Sequence, residues 1–460
     1  MIMSKYIADK DFYKKTLAIA VPMMIQNGIT NFVSLLDNIM VGQLGTAQMS
    51  GVAIVNQLLF VFTLCIFGGC SGAGIFTAQY FGNGDHDGVR NTMRFKLLMC
   101  AVLLPIGLWF FITFGEKLIM HFLHADGDPE HIALALTNAK QYMSIMLVGL
   151  VLQSFSQTYV STLRETGETL LPMKAGALAV LVNLVLNYVF IFDHFGIKGM
   201  GVAGAALATT ISRIVELGIL VSWTHRHTDK NPFAVGLYKS FKLPAPLIGN
   251  IVRKGMPLMF NESLWSLGMT MLVQCYSVRG LSVVAAVNIA GVVFNVFSVV
   301  FIALGDSVAI IVGQLLGNNQ MDEAKDTDTK LIFFSTMLTV AIAVVVIIVA
   351  PLFPMMYNTE PQVRTMATSM IRIVGLCMPI NAFLHAAYFT IRSGGKTVIT
   401  FLFDCGYVWC VPVVLAYILS HYTGANILVI YFLCNAADII KAIVGYVLLK
   451  KGIWLNNIVA

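Results

Sequence analysis

Polar side chains recur along the first long apolar stretch of the sequence, which closes with FVSLLDNIMVGQLG at residues 32–45. Gln26, Thr30 and Asp37 are spaced by four and seven residues, so a helix would carry them on one face. Asn31 belongs to the adjoining stripe, which also holds Asn27, Ser34 and Asn38. A carboxylate among neutral oxygens suits a hard cation, and a proton needs the carboxylate alone. We therefore predict that Asp37 binds a proton or a cation and that the stripe lines a polar cavity.

The composition indicates that lipid surrounds this helix. Of the 460 residues, 58% are hydrophobic and 11% are charged, whereas soluble domains are about 25% charged. A carboxylate at bilayer depth costs on the order of 2.5–3.5 kcal/mol, so the alternative for Asp37 is a solvated position at the outer water boundary. A span needs about 20 apolar residues. The sequence predicts an all-α membrane protein with twelve spans, at about 16–37, 50–78, 95–115, 138–162, 168–192, 200–223, 251–276, 283–313, 330–354, 366–391, 397–420 and 426–449.

Basic residues indicate the orientation of these spans. Most of the 29 Lys and Arg residues lie at the two termini or in the even-numbered gaps between spans. Cytoplasmic loops of membrane proteins carry an excess of Lys and Arg, so this bias predicts that both termini are cytoplasmic. We expect a multi-pass protein of the cell membrane (plasma or inner membrane) that contacts membrane lipid. The chain has no basic or acidic tail that would indicate a nucleic acid partner.

The sequence repeats itself after 235 residues. PMMIQNGITNFVSLLDNIMVGQLG, from Pro22, corresponds to PLMFNESLWSLGMTMLVQCYSVRG, from Pro257, and AQYFGNGD corresponds to GQLLGNNQ. Six spans per half give both halves the same polarity, so we predict two six-helix bundles related by a pseudo-two-fold axis along the membrane normal. Rocking of the bundles, with hinges at the two prolines, would give alternating access. The predicted domains are the N-terminal bundle 1–223, a cytoplasmic linker 224–250 and the C-terminal bundle 251–460.

Five motifs follow one another along the chain. They are DNIMVGQLG (37–45), the Gln–Gly loop AQYFGNGD (78–85) with its copy, LRETGETLLP (163–172), NLVLNYVFIF (183–192) and GVAGAALATT (201–210). Together with the duplication, this ordered set resembles the multidrug and toxic compound extrusion (MATE) family of antiporters over nearly the whole chain. The resemblance implies a V-shaped pair of six-helix bundles that exports cationic or amphipathic compounds in exchange for Na⁺ or H⁺.

The resemblance also implies an ion site. In several prokaryotic members this site lies in the first bundle and consists of a first-helix Asp, an Asn-x-x-x-Asp pair and a Thr on the sixth helix. Asp37, Asn183 and Thr209 match that pattern, but Asn187 stands where the second Asp is expected. The alternatives are interhelical hydrogen bonds for the two Asn residues and a bond to its own helix for the Thr hydroxyl.

The substitution at Asn187 bears on the coupling ion. Asp37 leaves the site with one formal negative charge, which either H⁺ or Na⁺ would neutralise. Loss of a carboxylate weakens Na⁺ binding more than protonation, because Na⁺ needs several ligands at once. The sequence therefore favours H⁺ but leaves Na⁺ open.

The second half holds further candidates for substrate or proton binding. Glu262 is predicted near the midplane of the seventh span, with a local salt bridge or a capped pair with Asn261 as the alternative. Asp306 lies toward the end of the eighth span, where a water-exposed gate is the alternative. Asn381 and His385 are one helical turn apart in the tenth span, and a buried core histidine is the alternative to a proton carrier.

Two pairs with i,i+3 spacing lie in the last span of each half. They are Arg213 with Glu216 and Asp438 with Lys441, and a shift of 228 residues places Arg213 on Lys441. We predict that each pair is an intrahelical ion pair whose basic side chain snorkels toward water.

The predicted function is a secondary active multidrug efflux antiporter that exports organic cations or amphipathic drugs in exchange for H⁺ or Na⁺. The alternative is a flippase for a lipid-linked precursor, which would need more Lys and Arg inside the spans to hold a diphosphate. An enzyme is disfavoured because the sequence has no nucleophile motif, metal-ligand cluster or glycine-rich phosphate loop. We expect no catalytic residue, no cofactor, no metal beyond Na⁺ and a monomeric protein.

Overall fold

The fold is a set of long helices. The structure, a computed structural model, describes residues 6–123, 129–192, 199–357 and 359–460. Two basic residues that enter the orientation argument, Lys5 and Lys198, lie outside these ranges. The long helices are α1 (Lys10–Gly42), α2 (Thr46–Gly82), α3 (His86–Leu123), α4 (Pro129–Glu165), α5 (Leu170–Ile191), α6 (Val202–Arg226), α7 (Ala245–Ser277), α8 (Leu281–Gly317), α9 (Met321–Val349), α10 (Pro361–Ser393), α11 (Thr397–Tyr422) and α12 (Ile427–Lys450).

Eleven of the helices in the described ranges are long and apolar enough to cross a membrane, so the chain is a multi-pass all-α protein. The remaining helix, α7, carries Arg253, Lys254 and Glu262, which lower its hydropathy. It has the same length as its repeat counterpart α1, at 33 residues each. The ninth predicted span is wrong at its end, because α9 stops at Val349 rather than near 354. Pro351 and Pro354 follow and have no backbone N–H to donate, so only a one-turn helix forms there.

The last two long helices are interrupted. Residues Leu402–Gly406 of α11 form a π turn, which displaces the following turn relative to a regular helix. The same helix is interrupted again at Val411, before Pro412. Helix α12 consists of Ile427–Ala436 and Asp438–Lys450, separated at Ala437. These interruptions decide where the acidic and basic side chains of the second half point.

The helices pack into two compact units. The N-unit comprises Ile25–Thr77 and His86–Val252, and its core includes Ile66, Cys100 and Ile119. The C-unit comprises the residues up to Met24, Ala78–Asp85 and Arg253–Ala460. Its cores include Phe301 and Met370 in one cluster and Trp454 in another. The sequence-based domains 1–223, 224–250 and 251–460 stay a prediction.

Two glycines of the repeat form reciprocal close contacts within the C-unit. A Cβ on Gly82 would overlap the backbone carbonyl of Gln314, and a Cβ on Gly317 would overlap the backbone carbonyl of Gln79. These four residues are the two Gln–Gly pairs that the 235-residue interval relates. Reciprocal contacts of this kind are typical of a local two-fold relation. The repeated sequence is therefore repeated packing, and both positions require a residue without a Cβ.

The segment between α6 and α7 is shorter than the predicted linker and is bound to α3. Helix α7 begins at Ala245, and a 3₁₀ turn forms at Pro232–Ala234. Arg90 donates to the carbonyl of Phe233 at 3.1 Å, and Arg94 donates to the carbonyls of Leu237 and Gly236 at 2.8 and 2.7 Å. Basic residues that enter the orientation argument thus also hold the linker.

Replacement of Gly82 or Gly317 by Ala should destabilise the protein by about 1–3 kcal/mol, because the new methyl group meets a backbone carbonyl that is unable to move aside. The measurement is thermal unfolding in detergent. Gly291→Ala in the middle of α8 is the matched control, because no atom lies within 4 Å of its added Cβ. The control should be neutral or stabilising by up to about 1 kcal/mol. Equal changes in Tm at the three positions would contradict the packing described.

Candidate functional site

A chain of hydrogen bonds in the N-unit joins the four residues of the predicted ion site. The Asn187 amide donates to Asp37 Oδ1 at 2.6 Å and to Asn183 Oδ1 at 3.2 Å. The Asn183 amide in turn donates to Thr209 Oγ1 at 3.2 Å. Helices α1, α5 and α6 therefore converge on one polar cluster, with the carboxylate at one end and the hydroxyl at the other.

The packing of α5 explains why the two asparagines are buried. The buried residues of this helix include Ala175, Ala179, Asn183, Asn187 and Ile191, a stripe with a spacing of four residues. The asparagines thus occupy core positions rather than a lipid-facing side, and their side chains are 4% and 1% exposed. A helix in this position satisfies its polar side chains only through neighbouring helices.

Small residues at the start of α6 bring Thr209 within reach. Five of the first seven residues of that helix are alanine or glycine, in the sequence VAGAALA. A Cβ on Gly204 would overlap the backbone carbonyl of Phe190 on α5, so the two helices approach backbone to backbone at this point. Close helix approach through small residues is typical of membrane proteins. It leaves the Thr209 hydroxyl near Asn183.

One oxygen of the cluster lacks a partner among the described residues. The Asn187 Oδ1 atom is buried and accepts no hydrogen bond, although both amide hydrogens of that side chain are used. Exchanging the amide oxygen and nitrogen would direct the oxygen at two other acceptors, so the orientation is fixed by its neighbours. An unsatisfied buried acceptor costs about 1–3 kcal/mol. A cation, or the proton of a neutral carboxyl group, would satisfy it.

Three residues near Asp37 carry polar or charged groups that the sequence did not single out for this site. The Tyr142 hydroxyl of α4 donates to Asn56 Oδ1 of α2 at 3.1 Å, and Tyr142 lies within electrostatic range of Asp37. The Arg213 guanidinium of α6 also acts on Asp37 electrostatically. Arg213 is one helical turn beyond Thr209, a spacing that could have indicated its place beside the site.

The polar stripe of α1 is divided between different environments. Gln26 Oε1 accepts a hydrogen bond from Arg164 of α4 at 2.6 Å. The Thr30 hydroxyl donates to the backbone carbonyl of Gln26 at 2.9 Å, and both Thr30 and Asn31 are exposed. The structure therefore joins Gln26 to α4 and does not bring Thr30 or Asn31 into the Asp37 cluster. That the stripe lines a cavity stays a prediction.

A second polar cluster lies in the C-unit. Asp404, in the π turn of α11, accepts from Lys441 Nζ at 2.8 Å and from the Asn261 amide at 3.0 Å. The Tyr388 hydroxyl of α10 donates to Glu262 Oε1 at 3.4 Å. Glu262 is therefore close to an ion pair but makes no ion pair itself within the described residues. The sequence missed this role of Asn261, although the repeat interval places it on Gln26, which is also bound by another helix.

The other candidates of the second half lie around this cluster. Asp306 of α8 and Arg392 of α10 are both within electrostatic range of Glu262. His385 packs its ring against Phe301 and Phe389, with ring centroids 5.5 and 6.0 Å away. Asn381, one turn before His385, is half-buried. The structure thus brings Asp306 toward Glu262 and surrounds His385 with aromatic rings.

The two predicted intrahelical pairs have different outcomes. Arg213 Nη1 lies 2.9 Å from Glu216 Oε2, so that prediction is confirmed. The prediction for Asp438 and Lys441 is wrong, because Lys441 instead pairs with Asp404 of α11. The interruption at Ala437 makes Asp438 the first residue of a new helical segment, and the π turn of α11 brings Asp404 within reach.

Comparison with known proteins identifies the family. A family model named MatE matches residues 22–189 and again 257–418. The chain belongs to the MatE family. The two matched segments begin at Pro22 and Pro257, the residues at which the sequence repeat begins. MatE proteins are transporters, so the chain is a transporter and not an enzyme. No group of three or more His, Cys, Asp or Glu side chains that could hold a metal ion occurs in the described part of the chain.

Relatives of this MatE protein match it nearly end to end. The probable multidrug resistance protein NorM of Thermotoga maritima is 24% identical over 451 residues, which cover 96% of this chain and 93% of the relative. The probable multidrug resistance protein YoeA of Bacillus subtilis is 23% identical over 433 residues, which cover 93% and 91%. These identities are low, but the alignments leave no large part of either protein unmatched.

Solved structures establish the same fold. A multidrug resistance MATE family transporter of the MOP superfamily, in an outward-facing conformation, superposes with a TM-score of 0.86 at 20% identity. The match covers 96% of this chain and 95% of that one. A MATE crystal structure in a bent conformation gives a TM-score of 0.86, with 96% of each chain covered. The all-helical MatE fold predicted from the sequence is confirmed.

Lys441→Met should destabilise the protein by about 3–5 kcal/mol, because it leaves the Asp404 carboxylate buried without its counter-charge. Unfolding in detergent, followed by tryptophan fluorescence, measures the effect. Lys330→Met is the matched control, because its partner Asp326 is 53% exposed and such pairs contribute about 0–1 kcal/mol. A double variant that also carries Asp404→Asn should recover most of the loss. A single variant as stable as the double would contradict the importance of this pair.

Proposed function

We propose that this MatE protein is a multidrug efflux antiporter that exports cationic or amphipathic small molecules in exchange for H⁺ or Na⁺. The family match makes it a transporter, and the relatives from Thermotoga maritima and Bacillus subtilis are named probable multidrug resistance proteins. The proposed location is the plasma or inner membrane, with both termini cytoplasmic. The proposed cycle is alternating access, with a rocker-switch motion.

The observation that carries the coupling proposal is the 2.6 Å contact between Asn187 and Asp37, continued through Asn183 to Thr209. It places one carboxylate, one amide oxygen without a partner and one hydroxyl in a single buried cluster. One bound monovalent cation would neutralise the carboxylate and would give the Asn187 oxygen a partner. A site of this composition accepts H⁺ at Asp37 or Na⁺ at several oxygens.

The distribution of buried cations supports an antiporter over a lipid-linked precursor flippase. Lys96 of α3 is 2.5 Å from Glu165, and two further cations pair with carboxylates: Arg213 with Glu216 and Lys441 with Asp404. A diphosphate site requires cations whose charge is available to phosphate oxygens. The ion pairs of these helices instead neutralise each cation within the protein.

Asp37→Asn should abolish ethidium efflux from proteoliposomes driven by an imposed Na⁺ or H⁺ gradient, because the amide has no charge for the coupling ion to neutralise. The two gradients are applied one at a time, so the wild-type protein also reports which ion it uses. Asp326→Asn, an exposed position on α9, is the matched control and should keep wild-type rates. Efflux by Asp37→Asn at the control rate would refute the coupling proposal, and wild-type protein driven by neither gradient would refute antiport.

Asn187→Asp should strengthen Na⁺ dependence. A second carboxylate at hydrogen-bond distance from Asp37 raises the negative charge of the site, and we expect the Na⁺ concentration for half-maximal efflux to fall about tenfold, equivalent to about 1.4 kcal/mol. Asn31→Asp, on an exposed part of α1, is the control for added charge alone. A Na⁺ requirement unchanged by Asn187→Asp would show that this side chain is not a ligand.

A further inference from the structure

The charged groups on α6 provide Asp37 with a possible internal counter-ion. Arg213 lies one turn beyond Thr209, and its guanidinium is 2.9 Å from Glu216 on the following turn. The Glu216 side chain is 8% exposed, so it is a buried carboxylate held by Arg213. Counting Asp37, Arg213 and Glu216 in their charged forms, the cluster carries one net negative charge. Uptake of one monovalent cation makes it neutral.

The guanidinium has donors to spare. It has five N–H groups, and the structure gives it one hydrogen bond, to Glu216 Oε2. Its Nε atom is buried without a partner among the described residues. The second carboxylate within its electrostatic range is Asp37. The groups that face Asp37 from the other helices are the Asn187 amide of α5 and the Tyr142 hydroxyl of α4, so Arg213 is the cation of this set.

The repeat shows the alternative arrangement in the same molecule. Lys441 occupies the position that corresponds to Arg213 after the shift of 228 residues. It also has two acidic neighbours, Asp438 on its own helix and Asp404 on α11. Lys441 pairs with the carboxylate of the other helix at 2.8 Å, whereas Arg213 pairs with the carboxylate of its own helix. A cation at this position of the fold therefore reaches either type of partner.

We propose that Arg213 is a positioning residue that competes with the transported ion for Asp37, and that Glu216 holds it away while the ion is bound. When the ion leaves, Arg213 turns toward Asp37 and neutralises it, so the carboxylate crosses the ion-free part of the cycle without an uncompensated charge in the membrane. When an ion enters, Arg213 returns to Glu216. This inference rests on the proposed function, because it assumes that Asp37 is the coupling site.

The test measures the ion concentration that gives half-maximal gradient-driven ethidium efflux from proteoliposomes. In Glu216→Gln, Arg213 is free to occupy Asp37, so this concentration should rise about tenfold. In Arg213→Gln the competitor is lost, so the concentration should fall about tenfold while the maximal rate declines, because ion release becomes slow. Arg213→Lys keeps the charge and should stay within about threefold of wild type.

The double variant Arg213→Gln with Glu216→Gln removes both charges and keeps the net charge of the cluster. It should return the half-maximal concentration to within about threefold of wild type. Ion-dependent thermal stabilisation of purified protein in detergent gives a second readout that does not need transport. It should shift in the same order, even for a variant that no longer exports ethidium.

The outcomes separate this inference from the proposed function. If Asp37→Asn keeps gradient-driven efflux, the proposed coupling site fails. If Asp37→Asn abolishes efflux but both single variants at Arg213 and Glu216 keep a half-maximal ion concentration within about twofold of wild type, the pair is only a structural ion pair and the inference is overturned. Opposite shifts in the two single variants, cancelled in the double variant, would support competition for Asp37.

Discussion

The hydrogen bond between Asn187 and Asp37 joins α1 to α5 and compensates a carboxylate that lies on an otherwise apolar helix. A charged group at bilayer depth persists only when other polar groups replace the water that it has lost. The buried stripe of α5 supplies these groups, and the small residues of α6 allow Thr209 to extend the same chain of hydrogen bonds. The geometry of the N-unit site therefore follows from the requirement to compensate one acidic side chain.

The repeat sets the framework, and differences at equivalent positions set the chemistry. The reciprocal contacts of Gly82 and Gly317 preserve the packing of the two Gln–Gly motifs. Gln26 and its counterpart Asn261 both bind a side chain of another helix, but the partner is Arg164 in one case and Asp404 in the other. An ancestral arrangement has thus kept its backbone contacts while its polar side chains have diverged. The proposed division of labour, with ion coupling in one unit, is consistent with that divergence.

The sequence was sufficient to predict those features that depend on helical periodicity and on family motifs. Long apolar stretches predicted the helices, and the i,i+4 spacing of Asn183 and Asn187 predicted that both face the same neighbours. Local spacing was insufficient where the backbone departs from a regular helix. The interruption at Ala437 and the π turn of α11 gave Lys441 a partner on another helix, although Asp438 is closer in sequence. Cross-helix partners such as Arg164 for Gln26 depend on helix rotation, which composition does not determine.

The central claim is that Asp37 gives the protein one site for a monovalent cation. The most direct measurement is the number of cations, counted as Na⁺ bound plus protons exchanged, that the purified protein takes up per chain in detergent. Calorimetric titration with Na⁺ in weakly buffered solution, with the pH recorded, gives both quantities. The account predicts one cation equivalent per chain in the wild-type protein and its loss in Asp37→Asn. Unchanged cation uptake in Asp37→Asn would contradict it.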